Sequence, residues 1–210
     1  MFLQKDIEEK KNIQKELLDF LNDDDENAEQ KYSKIIKFLD DQKIRDDKYE
    51  LKSFLHLISR ISNNHYRNSC FIKKITQILS YFKNEIQKNF SNQEIFDIFE
   101  LNKIIHLFLI KEKIIEINEL IVNKMTKYFH QYSYIQYFYP EIKNFLTEKI
   151  KQKYPEPSSD NFEENRQKGE NDSYICHLIR NDLIEDFISY INKNNISVRS
   201  QIIPSIFETN

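Results

Sequence analysis

Apolar residues recur along this chain at three- and four-residue intervals, the spacing that lines one face of an α-helix. Leu3, Ile7, Leu17, Leu18 and Leu21 stand among charges and predict a moderately amphipathic helix over 3–21, which NDDDENAEQ then stops. Leu51, Phe54, Leu55, Ile58 and Ile61 share one face, and Phe71, Ile75, Ile78, Leu79, Phe82 and Ile86 share another. SNQE at 91–94 has the spacing of a capping box, in which the serine oxygen accepts from the backbone three residues on and the glutamate reaches back. It predicts a helix that opens at Ile95–Phe99 and continues into 101–110. Ile114, Ile117, Leu120, Ile121, Met125, Tyr128 and Phe129 form the next stripe. After the interruption at Pro140, Ile142, Phe145, Leu146 and Ile150 predict a shorter helix.

The pattern then breaks and resumes. YPEPSSDNFEENRQKGEND at 154–172 has almost no aliphatic residue, is acidic and carries two prolines and the glycine, which predicts a disordered linker. Ser158 and Ser159, which precede acids there, are read as polar filler in preference to phosphorylation sites. Beyond it stand two short stripes, Ile175, Leu178 and Ile179, then Leu183, Ile184, Phe187, Ile188 and Ile191, separated by Asn181 and Asp182. Asp182 and Glu185 have the spacing of a helix start, the aspartate as cap. A short helix, a tight turn, a longer helix and an Asn-Asn exit make the hairpin from which ankyrin-type arrays are stacked.

Composition sharpens the fold class. One glycine and four prolines in 210 residues leave little material for tight hairpins or phosphate-cradling loops, both of which lean on glycine at positive φ. The chain is therefore expected to be all-α, a helical bundle or short stack of helical hairpins followed by an ankyrin-like helix-turn-helix. The expected organisation is an N-terminal helix and acidic loop over 1–30, a helical domain over 31–153, the linker over 154–172 and the entry hairpin over 173–210.

Charge and candidate chemistry change this picture only a little. Residues 51–153 hold 16 basic and 9 acidic side chains, a balance of +7, while the flanking segments are acidic. Two distant cysteines and a charged N-terminus point to a reducing, intracellular, cytoplasmic setting. IIHLFLI at 104–110 is far short of a membrane span. Paired metal spacings such as C-x-x-C or H-x-x-x-H do not occur, and Cys176 and His177, being adjacent, diverge on a helix. His106 reads as a core histidine. A pairing of Cys70 with His56 or His65 is the weaker enzymatic alternative. YFHQYSYIQYFYP at 128–140 could stack bases within the basic segment, but tyrosines packed between helices, hydroxyls outward, account for the same residues. No catalytic, cofactor or metal residue is assigned.

The run CHLIRNDLIEDFISYINKNNISVRSQIIPSIFETN resembles the segment that introduces the repeat array in a family of protist ankyrin-repeat proteins, a domain of unknown function. The resemblance covers 175–210 and rests on Asp182, Phe187, Asn194, Asn195, Pro204, Ser205, Glu208, Thr209 and Asn210. It implies binding to protein partners or to downstream ankyrin repeats, with no catalytic residues; no small-molecule substrate and no membrane attachment are expected. The chain departs from the family in having no T-P-L-H motif and no turn glycines for the repeats. Ser205 and Glu208 form a capping box with about one turn of chain after it, so the sequence is expected to be a truncated product or an N-terminal fragment. The expected role is a non-enzymatic interaction scaffold whose partner-binding face is Leu183, Phe187, Ile188 and Ile191. A nucleic-acid-binding helical domain using 51–153 is the runner-up.

Overall fold

The structure, a computed structural model, describes residues 2–23, 27–65, 69–100, 102–127, 131–157, 161–169 and 173–197. The Leu3 side chain, Asp24–Glu26, Tyr128, Phe129, Ser158, Ser159 and the helix start at 204–210 lie outside the described residues. The protein is all-α: the described residues form fourteen α-helices and no strand. They fall into two compact units, 1–116 and 117–210.

In the first unit, α1 (Phe2–Asn22), α2 (Ala28–Asp41), α3 (Lys48–Asn64), α4 (Ser69–Tyr81), α5 (Lys83–Asn89), α6 (Asn92–Ile98) and α7 (Lys103–Lys111) follow one another through short turns. The predicted stripes are its core. Leu51, Leu55 and Ile58 of α3 and Ile75, Ile78 and Leu79 of α4 are fully buried. The N-terminal helix, expected to stand apart in 1–30, instead packs on α2 and α4 and buries Leu17, Phe20 and Leu21. Lys74 of α4 reinforces that contact, its buried Nζ donating to the carbonyls of Asp23 (2.7 Å) and Phe20 (3.4 Å) at the negative end of α1.

Two expected helices are broken. The stripe 71–86 is one face of two helices, interrupted at buried Phe82. The helix opened by SNQE does carry both reciprocal bonds of the capping box, Glu94 N–H to Ser91 Oγ and Ser91 N–H to Glu94 Oε2. It ends at Ile98, because Asn102 starts a new helix: its Oδ1 accepts from Ile105 N–H at 3.0 Å. Asn102 Nδ2 donates to Ser62 Oγ (3.1 Å) and Asn63 Oδ1 (3.0 Å), tying α7 to α3.

The second unit contains α8 (Glu119–Lys127), α9 (Gln131–Tyr137), α10 (Tyr139–Ile142), α11 (Glu148–Lys153), α12 (Phe162–Lys168), α13 (Tyr174–Arg180) and α14 (Ile184–Lys193). The aromatic run supplies its core, with Tyr134, Tyr137, Phe138 and Tyr139 all buried. One expectation is corrected here. The Tyr137 hydroxyl faces inward, where it donates to the carbonyl of Arg166 at 2.8 Å.

The organisation also differs from the expected one at 154–172. That stretch contains α12, and Arg166 on it is 1 % exposed. Its guanidinium donates to the Tyr137 carbonyl (3.0 Å), to both Glu141 oxygens (2.6 and 2.8 Å) and to Glu163 (2.7 Å). Phe162 is buried beside it. A polar composition predicted a linker because it counts aliphatic residues, whereas this segment is docked by one arginine and one phenylalanine.

How helices end in a chain with one glycine has a common answer. Lys113, Asp182 and Asn195 take the left-handed conformation, φ between 51 and 56°, that glycine usually supplies. Around each, the two bonds of a Schellman motif form: Ile114 N–H to Leu109 O, Leu183 N–H to Leu178 O and Ile196 N–H to Ile191 O, with Lys113, Asp182 and Asn195 closing the shorter turns. Each places an apolar residue five positions before another, the spacing that commonly accompanies this motif, and the left-handed conformation costs a non-glycine residue about 1 kcal/mol. Lys113→Gly is therefore expected to raise the stability of the first unit by about 0.5 kcal/mol, the relief exceeding the added unfolded-state entropy. Urea unfolding measures it, and a lowered midpoint would contradict the motif.

Candidate functional site

The hairpin 173–197 is built as its sequence directs, with one exception. Ser173 Oγ accepts from Cys176 N–H and caps α13. Asp182, expected to cap α14, makes no such bond; it occupies the left-handed turn position, and Leu183 is the N-cap without a side-chain bond. Within the hairpin, Leu178 and Ile191 are buried and Tyr174 meets Tyr190 edge to face at 5.0 Å between centroids.

The other side is uncovered. Of nine large hydrophobic residues exposed among the described residues, five lie here: Tyr174 (53 %), Ile179 (50 %), Leu183 (39 %), Ile184 (65 %) and Ile188 (50 %). Of the four residues expected to form a partner-binding face, Leu183 and Ile188 are exposed, Phe187 is half-buried and Ile191 is buried. Ile184, one helical turn before Ile188, is the most exposed of these five. Its i, i+4 relation to Ile188 was the signal that marks it as part of the face.

Several titratable groups elsewhere are engaged by their neighbours. His106 is fully buried, stacks on Phe96 with centroids 4.0 Å apart, and holds its Nε2 2.9 Å from the Phe96 carbonyl. A carbonyl only accepts, so Nε2 carries the proton. Burial pushes the imidazole down to about 4, which keeps it neutral. Arg45 lies over the Tyr81 ring at 3.9 Å and pairs with Asp40 and Glu85. Burial, with the hydrogen bond that Tyr81 donates to Asp40 (2.6 Å), pushes that phenol up to about 12. His65 stacks on Phe71 at 4.5 Å, and Cys70 and Cys176 are half-buried.

Part of the positive balance of 51–153 is internal, since Lys74 and Lys103 are buried. Among the described residues no group of three or more His, Cys, Asp or Glu is arranged to hold a metal ion. No helix among them is long and apolar enough to cross a membrane. No protein-family model matches the chain, and neither the curated proteins nor the solved structures contain a significant match.

Proposed function

We propose that the protein is a non-enzymatic interaction scaffold in which the hairpin 173–197 offers a stacking face to a further helical hairpin, supplied by ankyrin-type repeats or by a protein partner. The observation that carries this reading is the uncovered stripe of Leu183, Ile184 and Ile188 on a hairpin in which Leu178 and Ile191 are already buried. A repeat hairpin satisfies one face from within and the other against its neighbour, so stability accumulates as a sum of neighbour contacts. The short helix, tight turn and longer helix have the form of an ankyrin-type unit, and the resemblance of 175–210 to the entry segment of the protist ankyrin-repeat family points the same way. The test is whether an ankyrin-type array fused after Asn210 protects the amides of α14 from hydrogen exchange, with Ile188→Glu removing the effect.

A further inference from the structure

A second surface lies on the first unit. α1 and α3 both pack on α4 and leave between them a groove of about 530 Å³, open on its outer side. Its floor is apolar, lined by Ile13 of α1, Ile44, and Phe54 and Leu57 of α3, with the half-exposed Ile7 at its edge. Lys10, Lys11 and Arg60 stand on its rim against a single carboxylate, Glu50, which is engaged by Lys10 at 4.0 Å. Lys11 and Arg60 make no ion pair among the described residues. The positive field is felt at His56 on the same rim: its imidazole is held below the ordinary histidine value by partial burial, then by Lys52 and Arg60.

We infer that this groove takes an acidic amphipathic helix of a protein partner. Three features carry this. The lining runs from Ile7 to Gln14 on α1 and from Glu50 to Arg60 on α3, about 10 and 15 Å at 1.5 Å per residue, which matches a helix of two to three turns. Both walls are helices whose backbone groups are bonded internally, so the groove has no free N–H or C=O row for an extended peptide. An occupant must satisfy its own backbone, and a helix does. Finally, an apolar floor with unpaired cations on the rim asks for apolar anchors at i, i+4 and i+7 flanked by carboxylates. A nucleic acid would leave the floor uncovered, and a single acyl chain would leave the open side bare.

The test uses the full chain and a fluorescein-labelled synthetic helix of about 16 residues with leucines at i, i+4 and i+7 and flanking glutamates. Controls replace the glutamates with lysines or the leucines with asparagines. Fluorescence polarisation is expected to show the acidic probe binding at least about ten-fold more tightly than either control. Lys11→Glu with Arg60→Glu, both on exposed side chains, should weaken it about ten-fold and make the lysine probe the preferred one, with circular dichroism unchanged. Equal binding of the acidic and lysine probes, no effect of the charge reversal, or saturable uptake of palmitate without binding of the acidic probe would overturn the inference. Variants of the hairpin leave this readout unchanged, so its failure is separate from failure of the hairpin reading.

Discussion

Replacing Arg166 with methionine lowers the stability of the second unit by about 3 kcal/mol, the largest effect expected of any single polar substitution in this chain. The methionine keeps most of the apolar stem and removes the charge. The Glu141 carboxylate, whose side chain is only 17 % exposed, then loses both its bonds to Arg166, and the Tyr137 carbonyl loses its donor. Removing one partner of a buried pair typically costs 3–5 kcal/mol, and the lower end applies because Glu141 retains some contact with water. Glu163, 55 % exposed on its side chain, predicts the contrast: Glu163→Gln should change stability by no more than about 0.5 kcal/mol. Adding Glu141→Met to Arg166→Met should recover much of the loss, because the uncompensated charge is gone. Urea unfolding gives these values, and limited proteolysis within 154–172 should accelerate in the single variant. A loss below about 1 kcal/mol would mean that α12 contributes little and that the segment behaves as a linker.

Asn102→Ala should cost the first unit about 2–3 kcal/mol. Two effects add at this fully buried residue. The amide oxygen caps α7, worth about 1 kcal/mol. The amide nitrogen serves Ser62 and Asn63, and its loss leaves the buried Ser62 Oγ and the half-buried Asn63 Oδ1 without that donor, at about 1–2 kcal/mol. Asn102→Ser should restore about 1 kcal/mol by restoring the cap. Asn102→Asp should not restore the remainder, since a carboxylate has no proton to donate to Asn63 Oδ1. If serine is no better than alanine in chemical denaturation, the capping part of this account is wrong.

These residues mark what the sequence could and could not disclose. The apolar stripes of α3 and α4 and the box at Ser91 and Glu94 were legible because period and spacing are local properties. The break at Asn102 was not, since a polar residue between two apolar runs declares itself a cap only when its amide finds α3, some 40 positions earlier. The docking of α12 was hidden for the same reason: one arginine among acids looks solvated until Tyr137 and Glu141 are placed around it. The hairpin was legible as two stripes and a turn, yet Asp182 was assigned as a cap where it supplies a left-handed turn. The pattern of an apolar residue followed by another five positions on, seen in Leu109 and Ile114, Leu178 and Leu183, and Ile191 and Ile196, would have shown it. The groove between α1 and α3 joins residues from separate helices, and no local pattern announces it.

The central claim, that the hairpin face is built to stack, is tested most directly by hydrogen exchange across Asp186–Ile191, read with and without an ankyrin-type array fused after Asn210. In the chain alone these amides should exchange much faster than those of Phe71–Phe82, whose stripe is buried. Covering the half-exposed Leu183, Ile184 and Ile188 is worth roughly 2 kcal/mol or more, so the fusion should slow exchange at least about 30-fold, and Ile188→Glu should cancel the gain. Amides already as protected as Phe71–Phe82 in the dilute, unfused protein, with no change on fusion, would contradict the claim.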